Sequence, residues 1–133
     1  MMHMMTQEPR AREVEWTQAN RKELVERIER VLPEDGTKEP LPGLILYRSS
    51  NPTAPLHAVF EPAVCVIAQG SKEVLFGNSR YQFDPLHYLL VTLDLPYVSQ
   101  VIEASKEQPF LGLRLSLSPL LVGEVLLEIG HTQ

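Results

Sequence analysis

Apolar residues in the first quarter of the chain recur with the spacing of a helix. Leu24, Ile28 and Val31 stand at positions i, i+4 and i+7, which places them on one helical face. A proline and a glycine follow shortly afterwards, as is common where a helix ends. The pattern predicts three segments: a mobile arm at residues 1–12, a helix at 13–32 and a proline-rich linker at 33–42.

After Gly43 the pattern changes to alternating apolar positions and short apolar runs between turn residues. Such runs are typical of β-strands, and the pair Gly77 and Asn78 suits a two-residue hairpin connection. About seven strands at roughly 8–12-residue spacing predict an antiparallel sandwich or small barrel rather than βαβ units. The predicted strands are residues 44–48, 63–69, 72–76, 79–83, 87–93, 97–104 and 110–117.

A short, very apolar helix is predicted near the end of the chain, over residues 120–129. Ser118 and Pro119 suit its N-cap and its first helical position. Only Glu124 and Glu128 give this helix a polar side. It therefore needs cover, either from the β body or from an interface with another domain or molecule.

Composition narrows the class of protein. The 133 residues are enough for one domain. A net charge of −5 argues against nucleic-acid binding by this segment, because contacts with phosphates need a basic surface. The single cysteine excludes an internal disulfide. No apolar run reaches the ~20 residues of a membrane span. The N-terminus also lacks a signal-peptide pattern, so a cytoplasmic protein is expected.

The strand predicted at residues 110–117 has two different faces. One face consists of four leucines and is expected to be buried, whereas Arg114 belongs to a mixed face. An arginine in that position could bind an anionic ligand through its planar guanidinium group. Alternatively, Arg114 could be exposed or paired with Glu103 on a neighbouring strand.

The direction of the mixed faces decides whether the barrel has a pocket. If they line the interior, it is semi-polar and could hold a small molecule; if the leucine face lines it, the core is dry. The sequence leaves both open, because a one-residue slip in register inverts every face. For the first alternative, the predicted ligand-binding residues are Cys65, Ile67, Tyr97, Ser99 and Arg114, with Arg114 anchoring an anionic or polar group.

The sequence contains no recognised catalytic motif. It has no Gly-x-Ser-x-Gly elbow, no phosphate-binding glycine loop and no His-Glu-x-x-His helix. His57 and His87 lack a third ligand for a metal site on the predicted strands. Cys65 lies in the most apolar strand and is expected to be a small buried hydrophobe. The sequence therefore predicts no catalytic residue, no metal site, no cofactor and no enzymatic activity.

Five segments, taken in order, resemble the N-terminal domain of AraC-type transcriptional regulators. The segments that carry this resemblance are residues 46–53, 60–72, 77–85, 87–96 and 104–115. No single one of them is diagnostic, but the ordered series is fairly specific.

The resemblance implies a cupin-like double-stranded β-helix, with the N-terminal helix and the short C-terminal helix outside the barrel. It also implies a cytoplasmic bacterial regulator whose barrel senses a small effector or forms a homodimer. DNA is bound in that family by two helix-turn-helix motifs in a separate C-terminal domain, which this sequence lacks. The expected organisation is a charged arm, helix and linker at residues 1–40 and the effector-sensing or dimerisation barrel at 41–133.

Three readings of the function therefore stand side by side. The leading hypothesis is the regulatory N-terminal domain of an AraC-type regulator. A stand-alone cupin-type binding protein or metal-dependent enzyme is the second, although the closely spaced histidines of metal-binding cupins are absent. The third is a pure dimerisation module with a dry barrel.

Overall fold

The computed structural model describes residues 2–6, 11–85, 87–91, 95–118 and 127–128. These residues form ten β-strands and one long α-helix, so the expected mainly β class is confirmed. In chain order the elements are β1 (Met2–Thr6), α1 (Ala11–Val31), β2 (Gly36–Leu41), β3 (Leu44–Ser49), β4 (Leu56–Phe60), β5 (Ala63–Gln69), β6 (Ser71–Phe76), β7 (Ser79–Phe83), β8 (His87–Val91), β9 (Leu95–Glu103) and β10 (Phe110–Ser116).

The strands form two antiparallel sheets. The large sheet has the order β1-β8-β5-β10-β3-β2, and the small sheet has the order β4-β9-β6-β7. From β3 onwards the chain passes repeatedly from one sheet to the other, and only β6 and β7 are consecutive strands of the small sheet. This alternation makes the two sheets the layers of a sandwich, in agreement with a cupin-like domain.

The main core lies between the two sheets. Its buried residues come from both layers, and Tyr47, Phe76, Tyr81, Tyr97, Val101 and Ala104 pack against them. The buried residues are Ala63, Cys65, Ile67, Val74, Phe83, Leu89, Val91 and Phe110. The inner face of the large sheet therefore carries the mixed side of β10 and not its leucine side.

A second core lies on the outer face of the large sheet, where α1 covers it. Ile28 and Leu32, from the end of the helix and the residue after it, pack against Leu46, Ala68 and Leu111. The helical stripe predicted from the sequence thus provides the cover for part of the leucine face.

The expectation that the whole leucine face of β10 is buried is wrong. Leu111 has no exposed surface, whereas Leu115 is 43% exposed on the same face of the same strand. The difference arises because the outer core formed with α1 includes Leu111 but not Leu115.

The strands β1 and β2 lie where the sequence predicts a mobile arm and a linker. Residues 2–6 form β1 and pair with β8 at one edge of the large sheet, so this part of the predicted mobile arm is a strand. Residues 36–41 form β2 at the other edge, within the predicted linker. All of β2 is exposed, and its register with β3 is irregular near Pro40. An edge position of this kind tolerates both polar residues and a proline without an N–H group.

The other predicted elements are recovered with small shifts at their ends, and β4 is an additional strand at the edge of the small sheet. Most of the helix predicted at residues 120–129 lies outside the part of the chain that the structure describes. Within that segment Leu127 and Glu128 are described, and both are helical and exposed.

None of the described helices is both long enough and apolar enough to cross a membrane.

Candidate ligand-binding cavity

A cavity of about 460 Å³ lies between the two sheets. Its volume falls within the range of pockets that enclose small molecules. The exposed members of its lining come from β2 and from the end of the β3–β4 loop with the start of β4, and they mark its opening. The sandwich is therefore hollow on the side where these segments meet.

All five residues predicted for ligand binding line this cavity. Cys65 and Ile67 come from β5, Tyr97 and Ser99 from β9, and Arg114 from β10. Three strands in two sheets thus direct their mixed faces to one space. The structure brings these side chains together, and their role in binding a ligand stays a prediction.

The register of β10 determines the surroundings of Arg114. It lies opposite Cys65 on one side and Ile45 on the other, both in the large sheet. Glu103 lies in the small sheet, opposite Ser71. The alternative in which Arg114 pairs with Glu103 is wrong, because the two residues belong to different sheets and no ion pair joins them.

Lys72 is a cavity residue that the sequence analysis missed. It lies on β6, next to Val101 on β9, and so enters the cavity from the small sheet. Burial lowers the pKa of Lys72, and the nearby Arg114 lowers it further. The signal was present in the alternation of its strand, since Lys72 shares a face with the buried Val74.

Burial also controls the protonation of the weaker acids around these two basic residues. It raises the pKa of the Cys65 thiol above the usual value of 9.0, more than Lys72 and Arg114 lower it. Burial likewise raises the pKa of Tyr47 and of Tyr97, both of which line the cavity. At neutral pH the thiol is therefore not an activated nucleophile, and both phenols remain hydrogen-bond donors.

The rim of the cavity is joined to the end of α1. Arg48 Nη1 donates a hydrogen bond to the carbonyl oxygen of Leu32 over 3.3 Å, and Arg48 Nε lies 3.6 Å from Asp35 Oδ1. Asp35 in turn accepts hydrogen bonds from the N–H and the hydroxyl of Ser50, at 3.0 and 2.8 Å. Because Arg48 also lines the cavity, this network connects the cavity wall with the helix.

The loop between β3 and β4 is fixed at a second point. Thr53 N–H donates to the carbonyl oxygen of Val101 over 3.0 Å, and Val101 N–H donates to Thr53 Oγ1 over 2.9 Å. This loop therefore ties β9 of the small sheet to the segment that follows α1. Arg48 and Val101, at the two ends of this connection, both line the cavity.

We expect Asp35→Ala to remove a pH-dependent contribution to stability. The two hydrogen bonds from Ser50, and to a smaller extent Arg48, hold the pKa of Asp35 below its usual 3.8. Because the pKa of the folded state is lowered, the carboxylate stabilises the folded chain at neutral pH and loses this effect as the pH falls through that pKa.

Urea unfolding of the chain and of Asp35→Ala measures this effect. The two midpoints should differ at neutral pH and converge as the solution is acidified. A difference that stays constant across this range would show that the carboxylate charge contributes nothing.

Among the described residues, no three His, Cys, Asp or Glu side chains converge as a metal site would require. His87 lines the cavity, but its Nδ1 lies 2.7 Å from Asp84 Oδ1 and makes a local pair near a turn. The donor set inside the cavity consists mainly of hydroxyl, thiol and basic groups. Such a set is suited to a polar organic molecule more than to a metal ion.

A family model described as the N-terminus of AraC-type transcriptional regulators matches residues 40–133, which include every residue named above as lining the cavity apart from those of β2. No curated protein and no solved structure matches the chain.

Proposed function

We propose that this chain, which belongs to the AraC-type transcriptional regulator N-terminus family, senses a small-molecule effector in the cavity between its sheets. The family is regulatory rather than catalytic. DNA would be contacted by a separate helix-turn-helix domain, since the net charge of −5 suits this segment poorly to phosphates. The regulator would act in the cytoplasm, where its promoter is found.

The observation that carries the proposal is the composition of the cavity. Apolar side chains such as Phe83 and Leu89 form part of its wall, and a few polar groups such as Ser99 and Arg114 converge on the same space. This combination of an apolar wall with sparse polar groups is characteristic of small-molecule sites. A dimerisation module would need no such space.

The contacts of Arg48 and Asp35 at the cavity rim support a route by which effector binding could affect the rest of the protein. An effector shifts the equilibrium between two states only if it binds one of them more tightly. If the effector contacts Arg48 or the loop around Thr53, its affinity depends on the position of these rim residues. Since Arg48 and Asp35 also hold the segment after α1, the preferred rim position would bias the helix and, through it, the rest of the regulator.

Thermal unfolding in the presence of a panel of neutral and anionic metabolites tests the proposal. A ligand that binds only the folded chain, at about a hundred times its Kd, should raise the Tm by roughly 10 °C. The variant Ser99→Trp places an indole in the cavity and should abolish the shift. Ser79→Trp places the same group on an exposed strand and is the matched control.

The proposal fails if no compound raises the Tm of the chain. It fails equally if the shift persists in Ser99→Trp, because the ligand would then bind elsewhere.

Dimerisation is a second candidate, favoured by exposed leucines on the outer face of the large sheet. Leu41 is 63% exposed and Leu115 is 43% exposed, and both lie opposite Leu44 in adjacent strands. The partner would be a second copy of this chain. Sedimentation of the same samples separates the candidates, because a dimer without any thermal shift would favour a dimerisation module.

A further inference from the structure

Aromatic side chains line the cavity from both sheets. The large sheet contributes Tyr47 from β3 and Phe110 from β10, and the small sheet contributes Phe83 from β7 and Tyr97 from β9. The two tyrosines are half-buried and the two phenylalanines are buried. Burial raises the pKa of Tyr97, and Tyr47 raises it further, so the two phenols lie near one another although they belong to different sheets. The cavity therefore has an aromatic wall on each side.

No side chain projects from the large sheet at Gly112, in the interior of β10. Gly112 lines the cavity and lies opposite Tyr47 on one side and Ile67 on the other. Its φ is not positive, so the backbone conformation does not require a glycine. A Cβ atom at this position would lie 3.2 Å from Cζ and 3.4 Å from Cε1 of Phe110, so this ring fills the space that a side chain would need. A glycine inside a strand is typical of a bulge, which the shifted register with β5 shows here, and of a place where a ligand approaches the backbone closely.

The ring of Tyr97 is supported by its own sheet. Phe76 on β6 packs against it with the ring centroids 6.2 Å apart and the planes at 33°, and Tyr81 on β7 meets Phe76 edge-on at 6.2 Å. A side-chain hydrogen bond joins Tyr97 to Ser99. On the other side β4 places Ala58 opposite Tyr97, and a methyl group covers little of a phenol ring. Tyr97 is therefore held in position while part of its surface remains accessible from the cavity.

We propose that the cavity binds a flat aromatic molecule with a small hydrogen-bonding substituent, and that its ring lies between Tyr97 of the small sheet and Tyr47 and Phe110 of the large sheet. This inference rests on the proposed effector-sensing function and names the chemical class of its effector. Aromatic rings that stack with an offset or meet edge to face are stabilised beyond the area that they bury. The hydroxyl groups of the two tyrosines can bond the substituent. A volume of about 460 Å³ is in the range of pockets that enclose molecules of this kind.

NMR titration of the 133-residue chain with matched pairs of probes tests the requirement for an aromatic ring. The pairs are benzyl alcohol with cyclohexylmethanol and 2-naphthalenemethanol with its fully saturated counterpart, which keep the hydroxyl group and remove the aromaticity. A saturated ring has more apolar surface, so burial of apolar area alone favours the saturated member of each pair. Contacts between rings reverse this order, and we expect each aromatic probe to bind about twofold to tenfold more tightly than its saturated counterpart.

Variants locate the bound ring. Tyr47→Leu and Tyr97→Leu each keep an apolar side chain and remove one aromatic contact, so each should lower the preference for benzyl alcohol over cyclohexylmethanol about twofold or more. Tyr88→Leu makes the same change on β8, at a half-buried position outside the cavity lining, and should leave the preference unchanged. If a leucine variant fails to fold, the unchanged chain gives the location, because bound benzyl alcohol should show nuclear Overhauser effects to the rings of Tyr47 and Tyr97.

The outcomes separate the aromatic inference from the proposed function. Equal affinity within the pairs, or tighter binding of the saturated probes, would overturn the aromatic inference and leave effector sensing intact. The same holds if no probe binds while a metabolite of the panel raises the Tm. An aromatic preference that survives in both leucine variants, or Overhauser effects to neither tyrosine, would place the ring elsewhere and would also overturn the inference. If neither the probes nor the metabolite panel bind, both the inference and the proposed function fail.

Discussion

Gly70→Ala is expected to destabilise the folded chain by about 3 kcal/mol or more. Gly70 has a φ of +81°, a conformation that costs an alanine about 1–2 kcal/mol. A methyl group there would also come within 2.5 Å of the Glu103 carbonyl oxygen and 3.1 Å of Phe110 Cα. Both contacts are with backbone atoms of the segment that joins the two sheets, so neither sheet can relax freely.

Gly77→Ala separates the clash from the backbone strain. Gly77 also has a positive φ, of +57°, but no atom lies within 4 Å of an added methyl group. Its substitution should cost only the strain, about 1–2 kcal/mol. Urea unfolding of both variants gives the comparison, and equal losses would contradict the close approach of β9 and β10 at Gly70.

Leu111→Ala is expected to cost about 2–5 kcal/mol of unfolding free energy. Leu111 has no exposed surface and belongs to the outer core that α1 covers. Truncation leaves a cavity beneath the helix, because the sheet on which it rests is fixed by strands on both sides of β10.

Leu115→Ala is the matched control for this prediction. It changes the same residue type on the same face of the same strand, at a position that is 43% exposed. Its cost should stay below about 1 kcal/mol. Thermal or urea unfolding of both variants measures these costs. Similar losses of unfolding free energy would contradict the uneven cover of the leucine face by α1.

Strands in the middle of a sheet are predicted from the sequence, as is the edge strand β7 beside its hairpin turn, whereas the edge strands β1, β2 and β4 are not. The strand β5 is predicted with its observed bounds because it is largely buried and its residues are apolar up to the last one, Gln69. The strand β2 is exposed along its whole length, so burial selects no alternation there, and Pro40 within it favours a linker. Its pairing with the neighbouring strand β3 leaves no trace in the hydrophobic pattern, because no residue of β2 is buried.

The candidate site was predicted in part for a related reason. Alternation grouped Arg114 with the mixed face of its strand, but whether that face pointed inward depended on register and on the position of α1. Lys72 was missed because a lone lysine in a strand is normally assigned to solvent. Arg114 lies in the other sheet, and only the fold brings Lys72 and Arg114 near one another.

The most direct test of the central claim is a crystal structure of the chain with the molecule that gives the largest thermal shift. The account predicts this molecule between the two sheets, with Cys65, Ile67, Tyr97, Ser99 and Arg114 around it. A molecule bound on the outer face of the large sheet, or those five side chains facing solvent, would contradict the claim that this cavity is the effector site.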